Sequence, residues 1–245
     1  WLGDAVMATP ALGLLRDAMP GAYIAGLARP GVAELLKGIP TLDEIFVERA
    51  QGVMGPKRAA GKLRPLRFDA ALLLTNSFST ALVTRLAGIP VRVGYNRDGR
   101  GPFLTHKLKA PEWPGSTIRS RRWAPISAVA YYYAAARALL GDPAKPFEML
   151  DDPLAVLHEG ARLELPLRDE DRTAAASVLG SAGIETVSGW EHGGNRLCVF
   201  NPGANNPAKR WPAARFGALG VSLAASHGMR ILISTGPGED EVARA

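Results

Sequence analysis

Short apolar runs alternate along this chain with longer segments whose apolar residues recur at helical spacing, and no other feature constrains the fold as strongly. Residues 44–47, 91–95 and 197–200 are runs of the first kind, and residues 126–140 and 213–226 are segments of the second. Strands that alternate with helices form parallel sheets with helices packed on them. The sequence therefore predicts an α/β fold.

Composition and charge limit the classes of protein to which the chain can belong. The 245 residues, 47% of them hydrophobic, can bury a large core. No stretch has the roughly 18 apolar residues of a membrane span, and no signal-peptide pattern is present, so we expect a cytoplasmic protein. A formal net charge of +6 indicates a phosphorylated ligand, an acidic membrane face or nucleic acid as partner. The basic clusters have few interleaved aromatics and no zinc-finger, RRM or helix-turn-helix pattern, which argues against nucleic acid.

The sequence also suggests where domains begin and end. Residues 141–166 carry prolines and scattered charges and are interpreted as a connection between a first domain, 1–166, and the start of a second, 167–245. The chain opens on Trp1, in what we interpret as a loop entering a helix whose preceding strand is missing. It stops at Ala245, just inside another helix. We therefore expect it to be truncated at both ends.

The segment "NPGANNPAKRWPAARFGAL", residues 201–219, lies between a predicted strand and a predicted helix. In open α/β sheets, ligands bind outside the carboxyl ends of strands. Backbone amides of the Gly- and Asn-rich turn, the dipole of a helix starting near Pro212 and the charge of Lys209 together suit a phosphate. The open alternative is that Lys209 and Arg210 are ordinary solvated turn residues. The spacing of a P-loop is absent.

The segment "WLGDAVMATPAL", residues 1–12, places Asp4 after Gly3 in the first turn of a predicted helix. There the carboxylate could simply cap the helix. At the carboxyl end of a strand it could instead accept a proton from a hydroxyl group. The residues alone leave both interpretations open.

Together these two segments resemble the ADP-heptose:lipopolysaccharide heptosyltransferase family, and within it the heptosyltransferase II type. The intervening "LLLTNSFSTALVTRLAGIPVRVGY" resembles a central strand-helix-strand segment of the family, and the "GR" before "LTH" also fits. The resemblance covers nearly the whole chain. It implies two Rossmann-like domains facing each other across a cleft in the glycosyltransferase B arrangement. The acceptor would bind the first domain, and the sugar nucleotide would bind mainly the second, which is incomplete here.

The resemblance also implies the reaction, an inverting transfer of L-glycero-D-manno-heptose from ADP-heptose to the inner core of lipopolysaccharide. Asp4 would deprotonate the acceptor hydroxyl, and Lys209 would neutralise the departing diphosphate. No metal or other cofactor is required. The enzyme would work at the cytoplasmic face of the inner membrane, which Arg119, Arg121 and Arg122 could contact unless they form a solvated basic loop. A later donor motif of the family would lie beyond Ala245, so we expect that this fragment could bind acceptor and fail to turn over.

The resemblance extends to residues expected to contact substrates. The turn at 203–206 matches the phosphate loop of the family, and an acidic group at 239–241 matches a segment near the nucleoside, where it could equally be a charged first helical turn. Asn76 and Ser77 follow the carboxyl end of a predicted strand at 69–74 and could touch acceptor, and Ser77 could instead cap a helix. The tyrosines at 131–133 and Trp211 are interpreted as packing residues. The expected substrate-binding residues are Gly3, Asn76, Ser77, Gly203, Ala204, Asn205, Asn206, Glu239 and Asp240, with Glu241 as a further acidic candidate.

Two alternative functions remain open. A related glycosyltransferase could use the same fold with another nucleotide sugar. A non-catalytic module could bind nucleotides or anionic lipid through the same basic turn. A Rossmann dehydrogenase is disfavoured, because no G-x-G-x-x-G motif follows a strand with an acidic residue some 20 positions further on.

Overall fold

Parallel strands and the helices that connect them form both units of the chain. The computed structural model describes residues 1–49, 52–117, 120, 122–141, 161–184, 196–204 and 206–236. The chain divides into one unit at Trp1–Leu167 and another at Arg168–Ala245. Every strand pairing in the described residues is parallel, apart from one isolated antiparallel bridge. The predicted α/β class is confirmed.

The first unit contains five strands and five α-helices within the described residues. The helices are α1 (Leu2–Ala18), α2 (Pro30–Leu35), α3 (Gly55–Leu63), α4 (Phe78–Leu86) and α5 (Ala128–Leu139). The strands are β1 (Ala25–Ala28), β2 (Glu44–Val47), β3 (Ala70–Leu73), β4 (Val91–Tyr95) and β5 (His106–Leu108). Strand β1 pairs with β2, and β3, β4 and β5 form a second sheet in that order.

The second unit is described over α6 (Asp169–Ser181), β6 (Leu197–Phe200), α7 (Ala213–His227) and β7 (Arg230–Ile233). Strands β6 and β7 pair in register, with Val199 opposite Leu232. Helix α7 packs closely on this pair at Gly220, where an added Cβ would lie 3.4 Å from the Phe200 ring. The helix ends at Gly228, whose φ of 63° is a left-handed conformation that glycine adopts without strain.

Helices α1 and α5 pack against each other through small side chains. Ala11 and Ala136 are fully buried and share a cluster with Leu15 and with the ring of Tyr132. Small residues let two helix backbones approach closely, so larger side chains next to them make firm contacts. This packing places the start of α5 beside the first turn of α1.

The interval 96–115 is rich in Gly, Pro and basic residues, a composition that predicts one long loop, but it is not entirely irregular. It contains a 3-10 turn at Gly101–Phe103 and strand β5, so that prediction is wrong in part. Strand β5 has three residues, and only Leu108 is buried while His106 and Lys107 are exposed. A short edge strand with polar side chains has no apolar run, which is why the pattern missed it.

Candidate functional site

Asp4 lies in the first turn of α1 with its carboxylate partly exposed. The hydroxyl of Tyr132, on α5, donates a hydrogen bond of 3.0 Å to Asp4 Oδ1. The second oxygen, Oδ2, lies 3.5 Å from the amino nitrogen of Trp1. Gly3 is exposed, and a Cβ added to it would meet no atom of a more distant residue within 4 Å. The Asp4 side chain is itself 38% exposed, so a ligand can reach it. The carboxylate thus combines a helix N-terminus, where negative charge is stabilised, with a phenol donor and an exposed side.

Asn76 and Ser77 follow the carboxyl end of β3, as the sequence predicts. Asn76 Oδ1 accepts two hydrogen bonds of 3.0 Å, one from the hydroxyl of Tyr131 and one from a guanidinium nitrogen of Arg100. With its oxygen engaged, the Asn76 side chain can offer a ligand its NH₂ group. Ser77 is the N-cap of α4, where its hydroxyl accepts from the Thr80 amide at 3.4 Å. The structure thus gives Ser77 the capping role that the sequence left open beside acceptor contact.

Arg100 is fully buried and joins the ends of two strands. Its Nε donates to the Tyr95 carbonyl oxygen at 2.7 Å, and its other nitrogens donate to the Thr75 carbonyl oxygen and to Asn76. Burial lowers the pKa of this guanidinium from its usual value. Three acceptors around a buried cation hold the loop after β4 against the end of β3. The sequence singles out Arg100 only as part of the "GR" pair and gives no signal of this role.

Tyr131 and Tyr132 of α5 form hydrogen bonds to candidate site residues in addition to packing in the core. The Tyr131 ring stacks on Tyr95 with centroids 3.7 Å apart, and Tyr95 donates to the Tyr131 carbonyl oxygen at 2.6 Å. The Tyr131 hydroxyl meets Asn76 and the Tyr132 hydroxyl meets Asp4. Burial raises the pKa of both hydroxyls, so both remain donors. The sequence prediction that these residues pack is confirmed for their rings and misses their hydroxyl groups.

In the second unit, the loop after β6 folds back on itself before α7. The Asn206 side-chain oxygen accepts from the Ala208 amide at 3.0 Å, and the Asn206 carbonyl oxygen accepts from the Lys209 amide at 2.9 Å. Arg210 Nε donates to the Ala204 carbonyl oxygen at 2.7 Å. Lys209 ends a 3-10 turn, Pro207–Lys209, and is exposed. The loop is therefore shaped by its own hydrogen bonds, and the Lys209 ammonium is presented to solvent.

The other predicted site residues of the second unit have the following positions. Gly203 and Ala204 are half-buried in the loop, and Asn206 is exposed with its oxygen engaged in the turn. Trp211 packs edge-on against Phe216, with centroids 4.9 Å apart, and Pro212 is the N-cap of α7. These contacts fit the packing and helix-initiating roles expected of both residues. The candidates that lie outside the described residues are Asn205, Glu239, Asp240 and Glu241.

Two further properties concern only the described part of the chain. No group of three His, Cys, Asp or Glu side chains there could hold a metal ion. No helix there is both long enough and apolar enough to cross a membrane. Of the three arginines expected at a membrane face, Arg119 and Arg121 lie outside the described residues. The third, Arg122, has its amide bound to the Ser116 hydroxyl at 3.1 Å.

Comparisons with known proteins agree with this fold and with the resemblance seen in the sequence. The lipopolysaccharide heptosyltransferase 2 of Salmonella typhimurium is 28% identical over 230 residues, which cover 91% of this chain and 58% of that protein. A glycosyl transferase family 9 structure from Veillonella parvula matches with a TM-score of 0.76 at 20% identity, covering 100% of this chain and 62% of that one. The structure of Escherichia coli ADP-heptose lipopolysaccharide heptosyltransferase II matches with a TM-score of 0.71 at 22% identity. The match covers 100% of this chain and 64% of that one.

These likenesses differ in what they establish. The chain spans less than two thirds of the length of each of these three proteins. At 20% and 22% identity, the two structures show that the fold is shared. The family model described as glycosyltransferase family 9 (heptosyltransferase) matches residues 57–245, which is most of the chain. The chain therefore belongs to glycosyltransferase family 9, the heptosyltransferase family.

Proposed function

We propose that this protein is an inverting glycosyltransferase that moves L-glycero-D-manno-heptose from ADP-heptose to the inner core of lipopolysaccharide. Membership of the heptosyltransferase family is the observation that carries the proposal. The named activity of the Salmonella relative, a lipopolysaccharide heptosyltransferase, supports the choice of donor and acceptor. Residues 1–166 would serve the acceptor, and residues 167–245 would begin the nucleotide-sugar side.

The proposed reaction is a single displacement. The acceptor oxygen attacks the anomeric carbon of the heptose while its proton passes to the Asp4 carboxylate. The bond between the anomeric carbon and the diphosphate oxygen breaks, and ADP leaves with the electron pair. Attack from the face opposite the leaving group inverts the configuration. The Asp4 side chain is 38% exposed, so an acceptor hydroxyl can reach it, which supports its assignment as the base.

Negative charge grows on the diphosphate as the glycosidic bond breaks. Lys209 is the proposed cation for that charge, and the amides near Gly203 and Ala204 with the N-terminus of α7 would add partial positive charge. The exposed position of Lys209 at the end of its turn supports this role. Because a fixed cation stabilises a growing charge more than the ground state, it would accelerate the reaction rather than only bind the donor.

The direct test is transfer by the full-length protein to lipopolysaccharide that lacks heptose. With ADP-heptose, we expect each acceptor molecule to gain the mass of one heptose, measured by mass spectrometry. Preference for a uridine nucleotide sugar would contradict the proposed donor and favour a related glycosyltransferase. Binding of ADP without transfer from any nucleotide sugar would instead favour the non-catalytic module.

Peripheral contact with the inner membrane is part of the proposal, because the acceptor is a lipid. Helix α3 and its flanks offer a suitable surface, in which exposed apolar side chains adjoin exposed cations. Val53, Met54 and Leu66 are 96%, 51% and 42% exposed, and the cations between or next to them are Lys57, Arg58, Lys62, Arg64 and Arg67. No acidic residue occurs between positions 49 and 68, and among these cations Lys62 lies 3.9 Å from the Glu48 carboxylate. We call these eight side chains the basic surface; their composition is typical of a surface that binds anionic lipid.

Neutralising two cations of the basic surface should weaken binding to anionic vesicles. We expect the Lys57→Gln, Arg58→Gln double variant to bind phosphatidylglycerol-containing vesicles about 30-fold more weakly, because each cation contributes about 1 kcal/mol. Sedimentation with vesicles measures this. The control is the Arg162→Gln, Arg172→Gln variant, in which two exposed cations outside the basic surface are neutralised. Equal losses in both variants, or equal binding to neutral vesicles, would contradict the assignment of this surface.

A further inference from the structure

The hydrogen bond between α5 and α1 gives Tyr132 a specific role. We propose that Tyr132 is a positioning residue, whose hydroxyl holds the Asp4 carboxylate in the orientation in which it accepts the acceptor proton. The inference rests on the proposed function, since Tyr132 acts through Asp4. It also goes beyond the sequence pattern, in which the three consecutive tyrosines indicate only a packing face.

The contact itself is well suited to hold a carboxylate. The two residues are 128 positions apart in the chain, and the phenol oxygen lies 3.0 Å from Asp4 Oδ1. A carboxylate bound through one oxygen loses much of its freedom to rotate about the bond that carries it. The other oxygen, Oδ2, which lies 3.5 Å from the Trp1 nitrogen, is then the one left to accept a proton. Rates fall steeply when a reacting group is displaced by about 1 Å, so such restraint has kinetic value.

The Tyr132 ring is itself held by the core. It contacts the buried cluster of Ala11, Leu15 and Ala136 between α1 and α5. It also meets the Tyr131 ring edge-on, with centroids 5.9 Å apart, and Tyr131 is stacked on Tyr95. Packing on several sides limits the rotamers of Tyr132, so its hydroxyl is held beside Asp4. A functional group is positioned best when the residue supporting it is locked in this way.

The Tyr132 hydroxyl keeps its proton and can therefore donate a hydrogen bond. Burial and, next, the hydrogen bond to Asp4 raise the pKa of this hydroxyl far above its ordinary value. The phenol therefore keeps its proton over the pH range in which enzymes work, and it donates to the carboxylate throughout that range. Proton acceptance is left to Asp4.

A purely structural role is the competing explanation, since the hydrogen bond also links two helices. The helices are already joined by buried apolar contacts, and one hydrogen bond contributes little beside these. The two roles differ in their kinetic consequences. Loss of positioning lowers kcat and leaves substrate binding intact, whereas loosened packing affects the stability of the folded unit.

The test is Tyr132→Phe in the full-length protein, which removes the hydroxyl and keeps the ring. We expect kcat for heptose transfer to fall about tenfold or more. We expect the KM for ADP-heptose and for acceptor to stay within about twofold, because neither substrate depends on the phenol for binding. The matched control is Tyr23→Phe, since the Tyr23 hydroxyl also donates to a carboxylate, that of Glu44, in the same unit. This control should have the kcat of the parent protein.

Two results would overturn the inference. One is a kcat for Tyr132→Phe equal to that of Tyr23→Phe, and the other is a raised KM with kcat unchanged. Asp4→Asn, made in parallel, separates this failure from a failure of the proposed function. If Asp4→Asn keeps parental turnover, the proposed base is wrong and Tyr132 loses its role with it. If Asp4→Asn is inactive while Tyr132→Phe matches its control, only the positioning role is wrong.

Discussion

Replacing Asp4 with asparagine is expected to lower kcat for heptose transfer by about 10³-fold, within the range that general bases contribute. Asparagine has nearly the size of aspartate and can still accept the Tyr132 hydrogen bond through its oxygen, but it cannot accept a proton from a hydroxyl. The affinity for ADP-heptose should be unchanged, because the proposed base acts on the acceptor. Steady-state transfer measurements, together with calorimetric titration of the donor, check both expectations.

Asp17 provides the control for this change, because it is an exposed aspartate on the same helix, α1. Asp17→Asn removes the same charge at the other end of the helix and should leave kcat at the parental value. Turnover of Asp4→Asn within about threefold of the parent protein would exclude a general-base role for Asp4, since general bases contribute at least about 10²-fold.

Replacing Lys209 with methionine is expected to lower kcat by about 10²-fold, in the range found when one group that stabilises transition-state charge is removed. Methionine keeps much of the length of lysine and removes the ammonium. The turn should survive, because its hydrogen bond to Asn206 comes from the backbone amide of residue 209. Binding of ADP, measured by titration, should weaken less than kcat falls, because the diphosphate gains charge as it leaves.

Two further variants make the Lys209 result interpretable. Arg172→Met removes an exposed cation from α6 in the same unit and should leave kcat unchanged. Lys209→Arg keeps the charge with a different shape and should recover part of the lost rate. If Lys209→Met and Arg172→Met have the same kcat, the departing diphosphate does not depend on Lys209.

Much of the fold could be predicted because its signals are local. Strands β2, β4 and β6 have the bounds that their apolar runs indicate, and Ser77 caps α4 as its position before a periodic segment suggests. Each of these signals depends on residues within one element or directly next to it. Strand β5 had no such signal, because its pairing with β4 is decided by the sheet rather than by its own side chains.

The candidate site was predictable only in part, for the same physical reason. Asp4 and Asn76 could be named from their places beside a helix start and a strand end. The tyrosine hydroxyls that bind these two side chains could not be predicted, because the contacts depend on how α5 is rotated against α1 and β3. The burial of Arg100 likewise follows from the meeting of two strand ends. A sequence pattern shows that such residues are present and does not show their partners.

One helix therefore governs the geometry of two proposed substrate contacts. Successive residues of an α-helix project about 100° apart, so Tyr131 and Tyr132 necessarily reach different neighbours, here Asn76 and Asp4. A slide or rotation of α5 would move the hydroxyls of Tyr131 and Tyr132 together. The orientations of the Asn76 and Asp4 side chains that they bind would then change at the same time. The spacing between the proposed base and the Asn76 amide is thus a property of α5, and the segments that join these elements can vary in length and sequence without altering it.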